Sequence, residues 1–242
     1  MRTPRLYSQQ RMTIDQKLAL DKSACNYLAS ALRMTEGQEI YLFNGEGGEY
    51  KAEILSLNKN KGDALITQFV AVDRESPLQI HLAIGISRGD RMDWLVQKAT
   101  ELGVTEITPL FTEHGEVRLK PDRLENKLRH FEKIAINAAE QCGRLDVPAI
   151  NTPLSLDAFL AQETNAKRLL LEPGGEQRLT ASQTLTDIQL LIGPEGGFSE
   201  QEVAQARASN CEIMRLGPRV LRTETAPVAA LAILQFLYGD LA

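Results

Sequence analysis

Three short loops rich in glycine and proline hold the strongest chemical signals in this sequence. They are LLLEPGGE at 169–176, LLIGPEGGFSEQE at 190–202 and MRLGPRVLRTETA at 214–226. Each follows a predicted strand. In an open α/β sheet, ligands bind beyond the carboxyl ends of the strands, so three such loops can share one pocket. Glycine lets the backbone come close to a ligand, and its bare N–H and C=O groups can read the edge of an adenine. One such loop reads equally well as an ordinary turn, since turns also favour Gly and Pro. Three at consecutive strand ends favour a site.

The familiar nucleotide loops are missing. No GxxxxGK[ST] stretch is present, and GPEGGF does not match GxGxxG after a first strand. The pocket therefore suits a ligand held by backbone contacts with little phosphate chemistry. Two polar groups stand near these features. Asn137, Glu140, Gln141 and Arg144 fall at helical spacing, where Glu140 and Arg144 either face a substrate or simply pair with each other. Arg219, Arg222 and Glu224 flank the last loop, and Arg222 with Glu224 is either a local ion pair or a pair facing a substrate base.

The elements that must position these residues fall into two groups. Residues 1–72 read as mainly β, with strands at Glu39–Phe43, Tyr50–Leu57 and Asp63–Val72, and a short helix at Ser23–Leu32 capped by Asp21 or Ser23. That content suggests a small barrel. Residues 73–77, DRESP, read as a linker, and 78–242 as a second domain. There, strands at Leu78–Ser87, Val104–Phe111, Arg168–Glu172, Ile188–Gly193 and Glu212–Leu216 alternate with helices at Arg91–Gly103, Arg123–Cys142, Ser199–Ser209 and Thr223–Tyr238. Alternation of this kind predicts a mostly parallel sheet covered on both faces. Thr223 is the expected cap of the last helix, whose Val228, Leu231, Ala232, Leu234 and Gln235 are either core or a dimer interface.

Composition narrows the class. Of 242 residues 43% are hydrophobic and 24% charged, with a formal net charge of -5. The whole chain is thus not basic, yet residues 1–33 carry Arg2, Arg5, Arg11, Lys17, Lys22 and Arg33 against only Asp15 and Asp21. That local excess is either a phosphate-contacting surface or scattered solvated charge. Cys25, Cys142 and Cys211 are widely separated, and the three histidines lack paired spacing, so neither disulfides nor a metal is expected. With no membrane-length apolar run and no signal-peptide pattern, a cytosolic (cytoplasmic) protein is expected.

IGPEGGFSEQE at 192–202 and LGPRVLRTETA at 216–226 closely resemble the two signature stretches of the RsmE family of SPOUT RNA methyltransferases. LLLEP at 169–173 has the matching spacing. MRTPRLY at 1–7, ALRMTEGQEIYLFNGEGGEY at 31–50, RMDWLVQKATELGVTEITPL at 91–110 and AINAAEQCGR at 135–144 match as well, so the resemblance spans nearly the whole chain.

The resemblance implies a PUA-like RNA-binding β-barrel, then an α/β SPOUT methyltransferase domain whose C-terminal segment forms a trefoil knot. Periodicity would never suggest a knot, because knots are very rare. It implies a homodimer that uses S-adenosylmethionine to methylate N3 of one uridine in 16S (small-subunit) ribosomal RNA, free or in the assembled 30S subunit. By similarity the cofactor lies among Leu171, Glu172, Gly193, Pro194, Glu195, Gly196, Leu216, Gly217, Leu221 and Arg222. N3 carries a proton and must lose it, so either a base or a cation stabilising the uridine anion is needed. Arg222 or Arg144 is expected to stabilise that charge, with Glu224 or Glu140 as the base. Arg2, Arg5, Arg11 and Arg33 are the expected phosphate contacts. The alternatives are methylation of another RNA atom, such as a ribose 2′-hydroxyl, and a non-catalytic RNA-binding assembly protein.

Overall fold

The computed structural model describes residues 3–87, 89–115, 121–178 and 185–242, which form two compact units. The first comprises residues up to Glu75 together with Ala139–Asp146, and the second Ser76–Ala138 and Val147–Ala242.

The first unit is built on a five-stranded sheet. Its strands are β1 (Arg5–Tyr7), β2 (Lys17–Leu20), β3 (Glu39–Phe43), β4 (Glu49–Leu57) and β5 (Gly62–Val70), in the order β1-β3-β4-β5-β2. β1 runs parallel to β3, while the other pairs are antiparallel. Alternation puts Leu18, Ile40, Leu42, Ile54 and Ile66 into one core, where Cys25 and Leu28 join them. Those two come from α1 (Lys22–Asn26) and the π-turn Tyr27–Ala31 that prolongs it. Asp21 is the cap, its carboxylate accepting from the Ala24 N–H at 2.7 Å.

The boundary between the two units falls inside residues 73–77, of which Arg74 and Glu75 belong to the first unit. Arg74 pairs with Glu49 at 3.1 Å, and the Glu75 carboxylate holds Arg144 at 2.8 Å. The reading of residues 78–242 as one continuous domain also needs correction. Residues 139–146 fold with the first unit because their groups satisfy its N-terminal strand: Glu140 accepts the Tyr7 N–H at 2.9 Å, and Arg5 donates to the Arg144 carbonyl at 2.9 Å.

In the second unit the order is β6 (Gln79–Gly85), α2 (Arg91–Glu101), β7 (Glu106–Phe111), α3 (Pro121–Cys142, its last turn in the first unit), β8 (Ala149–Ile150), β9 (Leu154–Ser155) and α4 (Leu156–Leu160). Then follow β10 (Lys167–Leu171), β11 (Gln177–Arg178), β12 (Asp187–Ile192), α5 (Glu200–Ala208), β13 (Glu212–Arg215) and α6 (Thr225–Tyr238). The strands pair in the order β11-β13-β10-β12-β6-β7-β8, with β9 also beside β7, and every pair is parallel.

Successive side chains of these strands divide between two cores. Leu82, Leu169, Leu171, Leu190 and Ile192 pack with Val96 of α2 and Leu231 and Leu234 of α6. Ala83, Leu170 and Leu191 pack on the opposite face with Phe159 of α4 and Ala206 of α5. Leu231, Leu234 and Gln235 are thus core, whereas Ile233 and Phe236 on the same helix are exposed. Thr223 does not cap α6; the helix starts after Glu224, whose side chain makes no capping hydrogen bond.

Candidate active site

The parallel register brings the three loops to one edge of the sheet. Leu171 lies between Ile192 on one neighbour and Met214 on the other, so Glu172, Gly193 and Arg215 leave adjacent strands at one level. The first loop turns tightly over the end of β13: Glu172 N–H donates to the Met214 carbonyl and Gly175 N–H to the Glu172 carbonyl, both at 2.9 Å. A Cβ on Gly175 would stand 2.6 Å from the Met214 carbonyl oxygen, so only glycine permits this approach.

The second loop leans on β6 and on the segment after β7. Its turn closes through Gly197 N–H to the Pro194 carbonyl at 2.9 Å. A Cβ on Gly85 would overlap the Pro194 nitrogen. His114 Nδ1 donates to the Gly196 carbonyl at 3.0 Å, which fixes the tautomer. Glu202 closes a capping box with Ser199 and also accepts the Glu113 N–H at 2.9 Å. In the third loop, Gly217 sits at φ +81° with open space where a Cβ would be. The Arg222 carbonyl accepts from Thr225 and Ala226 N–H at 2.9 Å and starts α6.

Arg91 joins two of these loops. As the first residue of α2, it donates to Glu195 Oε1 at 2.6 Å, and its Nε lies 4.0 Å from Glu224 Oε2. Glu224 therefore faces Arg91 and not Arg222, which is exposed. Glu172 has no side-chain hydrogen bond among the described residues, and burial holds its carboxyl above the ordinary value. Sequence reasoning missed Arg91 and His114. The available signal was position, since both follow strands that end at the same edge as the three loops.

Leu171, Glu172, Gly193, Pro194, Glu195, Gly196, Leu216, Gly217, Leu221, Arg222 and Glu224 all belong to this edge of the second unit or its loops. Glu140 and Arg144 do not; they lie in the first unit. Their expected mutual pair is absent because Gly143, at φ +98°, ends the helix before Arg144 can complete a turn. Arg144 instead grips Glu75, and Glu140 accepts from Tyr7.

Arg5 is not a surface phosphate contact either. Its side chain is 5% exposed and paired at 2.8 Å with an equally buried Glu49. Burial opposes the charged Glu49, yet hydrogen bonds from Arg74 and Arg5 hold its carboxyl below the ordinary range. Arg11 and Arg33 remain exposed, and Arg2 lies outside the described residues. A depression of about 840 Å³ at the opposite, amino-terminal edge of the sheet brings no converging groups. There Arg168 is spent on Gln189 and the Leu160 and Gln162 carbonyls, and Lys167 on Glu212.

The chain is similar to known proteins over nearly its whole length. Residues 74–235 match the RNA methyltransferase domain family, and residues 20–67 match the RNA methyltransferase PUA domain. The chain belongs to the RNA methyltransferase family. Within that family it is 35% identical over 242 residues to the ribosomal RNA small subunit methyltransferase E of Buchnera aphidicola subsp. Schizaphis graminum, covering 99% of this chain and 98% of the relative. A Legionella pneumophila structure in complex with the cofactor SAM superposes with a TM-score of 0.95 at 39% identity and full coverage of both chains. A ribosomal RNA small subunit methyltransferase E from Neisseria gonorrhoeae, bound to S-adenosyl methionine, gives 0.93 at 35% identity, covering 99% of this chain and 100% of that one. This methyltransferase therefore shares the fold of both.

Proposed function

We propose that this enzyme transfers the methyl group of S-adenosylmethionine to N3 of a uridine in small-subunit ribosomal RNA. The observation that carries the reading is the shared register of Leu171, Ile192 and Met214, which sets three backbone-rich loops around one space. The residues present fit that cofactor. Glu172, without a side-chain hydrogen bond among the described residues, offers its carboxylate to a cationic or hydroxyl-bearing ligand, Leu171 and Leu216 offer apolar surface, and Gly217 leaves room for close approach. No basic cluster is needed for a ligand without phosphate.

When bound, the cofactor supplies an activated methyl group that leaves its sulfonium. The protein must orient the acceptor and handle its proton. Arg222, exposed beside the loop, is assigned to stabilise the uracil carbonyls as N3 loses its proton, and Glu224 to accept that proton. Arg144 and Glu140 are assigned to hold the N-terminal strand. Because N3 lies on the Watson–Crick edge, the target base must be unpaired or flipped out. Arg11 and Arg33 are the phosphate contacts that remain, on a PUA-like barrel formed by the first unit.

Strand order supports the C-terminal knot. β13 inserts between β10 and β11, which are consecutive in sequence, so residues 172–176 bridge the end of β13. The chain leaving β13 must pass that bridge before it forms α6. A homodimer is supported by the apolar outer face of α6, where Phe236 is 60% exposed.

Incubation with tritiated S-adenosylmethionine and unmodified small ribosomal subunits tests the reading. Label in 3-methyluridine is the expected product. Label in a ribose-methylated nucleoside overturns the target atom, and absence of cofactor binding overturns the enzyme reading.

A further inference from the structure

We propose that Arg91 is a positioning residue that locks the spacing between the second and third loops by bridging Glu195 and Glu224. The inference rests on the proposed reading of the site and deepens it.

The bridge follows from where the three residues are anchored. Arg91 is fixed at the start of α2, and α2 packs against α6. From there the guanidinium uses NH1 for Glu195, in the loop leaving β12, and turns Nε toward Glu224, next to α6. Arg91 thereby sets one cation against two carboxylates that repel each other. Arginine suits the task because its planar fork presents donors in two directions at once, whereas lysine is a point charge.

Magnitude argues against a stabilising role. Arg91 is half exposed, and exposed ion pairs contribute little to folding. Its consequence lies in alignment. Glu195 belongs to the loop assigned to the methyl donor, and Glu224 stands two residues beyond Arg222, which is assigned to the acceptor base. Loss of the bridge lets donor and acceptor drift apart while each still binds, and small misplacements carry a large cost in rate.

The variants Arg91→Ala and Arg91→Lys, with Glu195→Gln alone and combined, test the bridge. At saturating cofactor, Arg91→Ala should slow single-turnover methyl transfer about a hundredfold. Its cofactor dissociation constant should change by less than about fivefold. Arg91→Lys should recover part of the rate. In cofactor-free protein, urea unfolding of Arg91→Ala, Glu195→Gln and the double variant should show a coupling of roughly twofold to fivefold in the unfolding equilibrium.

An unchanged rate in Arg91→Ala overturns the proposal. So does a rate loss matched by an equal loss of cofactor affinity or unaccompanied by coupling to Glu195. Wild-type protein that takes up no cofactor overturns the reading of the site itself, and the bridge as a positioning device with it, whatever the coupling.

Discussion

Ser76 and Gln235, 159 positions apart, share a buried hydrogen bond in which the serine hydroxyl donates to the amide oxygen at 2.6 Å. The same hydroxyl accepts the Leu78 N–H at 3.1 Å, and the Gln235 amide donates to the Leu102 carbonyl at 2.9 Å. Glycines crowd the glutamine: a Cβ on Gly103 would reach to 2.6 Å of its Nε2, and one on Gly239 would collide with its Oε1. One fully buried side chain thus ties the last helix to the start of β6 and the end of α2. Gln235→Leu preserves bulk but strands the Ser76 hydroxyl and the Leu102 carbonyl. It should cost about 1–3 kcal/mol, read as a lowered urea midpoint at unchanged slope.

Gly85→Ala attacks the seat of the second loop. The added methyl overlaps the Pro194 nitrogen, which is backbone and cannot swing aside. The variant should lose about 1–3 kcal/mol of stability and bind S-adenosylmethionine at least about tenfold more weakly by calorimetry. Gly174→Ala, where a Cβ meets nothing within 4 Å, is the matched control and should retain affinity.

Glu172 sets function against stability. Burial holds its carboxyl above the ordinary value, so its ionisation in the cofactor-free fold is unfavourable. A carboxyl raised in the folded state favours folding below its unfolded pKa, and that contribution is lost as pH rises through the folded value. Glu172→Gln should therefore stabilise cofactor-free protein at neutral pH and leave it unchanged in acid. The same variant should weaken cofactor binding about tenfold, since it removes the charge offered to the ligand. Thermal unfolding at two pH values, with and without cofactor, separates the two effects.

Glu49 has the opposite sign. Arg74 and Arg5 hold its carboxyl below the ordinary range despite burial. Its contribution is present above the unfolded carboxylate pKa and disappears as pH falls through the depressed folded value. Arg5→Met should cost about 3–5 kcal/mol at neutral pH by leaving Glu49 buried with one partner fewer, and the deficit should shrink in acid. A pH-independent deficit would place the cost in packing instead of charge.

Much of the fold was legible locally. β3 falls at Glu39–Phe43 as expected, α2 buries Met92, Leu95, Val96 and Ala99 on the expected face, and Asp21 and Ser199 begin their helices. These are short-range matters, set by the period of apolar residues and by side chains that cap helix ends. The placement of glycine loops after strands was legible for the same reason.

The sequence by itself determined the strands, the helices and the loops that can approach a ligand. Tertiary structure alone decided that β10 lies between β12 and β13, and so that those loops meet. It also decided that Arg5 is spent on Glu49, Arg144 on Glu75 and Arg91 on Glu195. The physical reason is distance along the chain. Periodicity tells a side chain which face it occupies, but the partner it meets there is chosen by strand order and crossovers, and no local pattern records those.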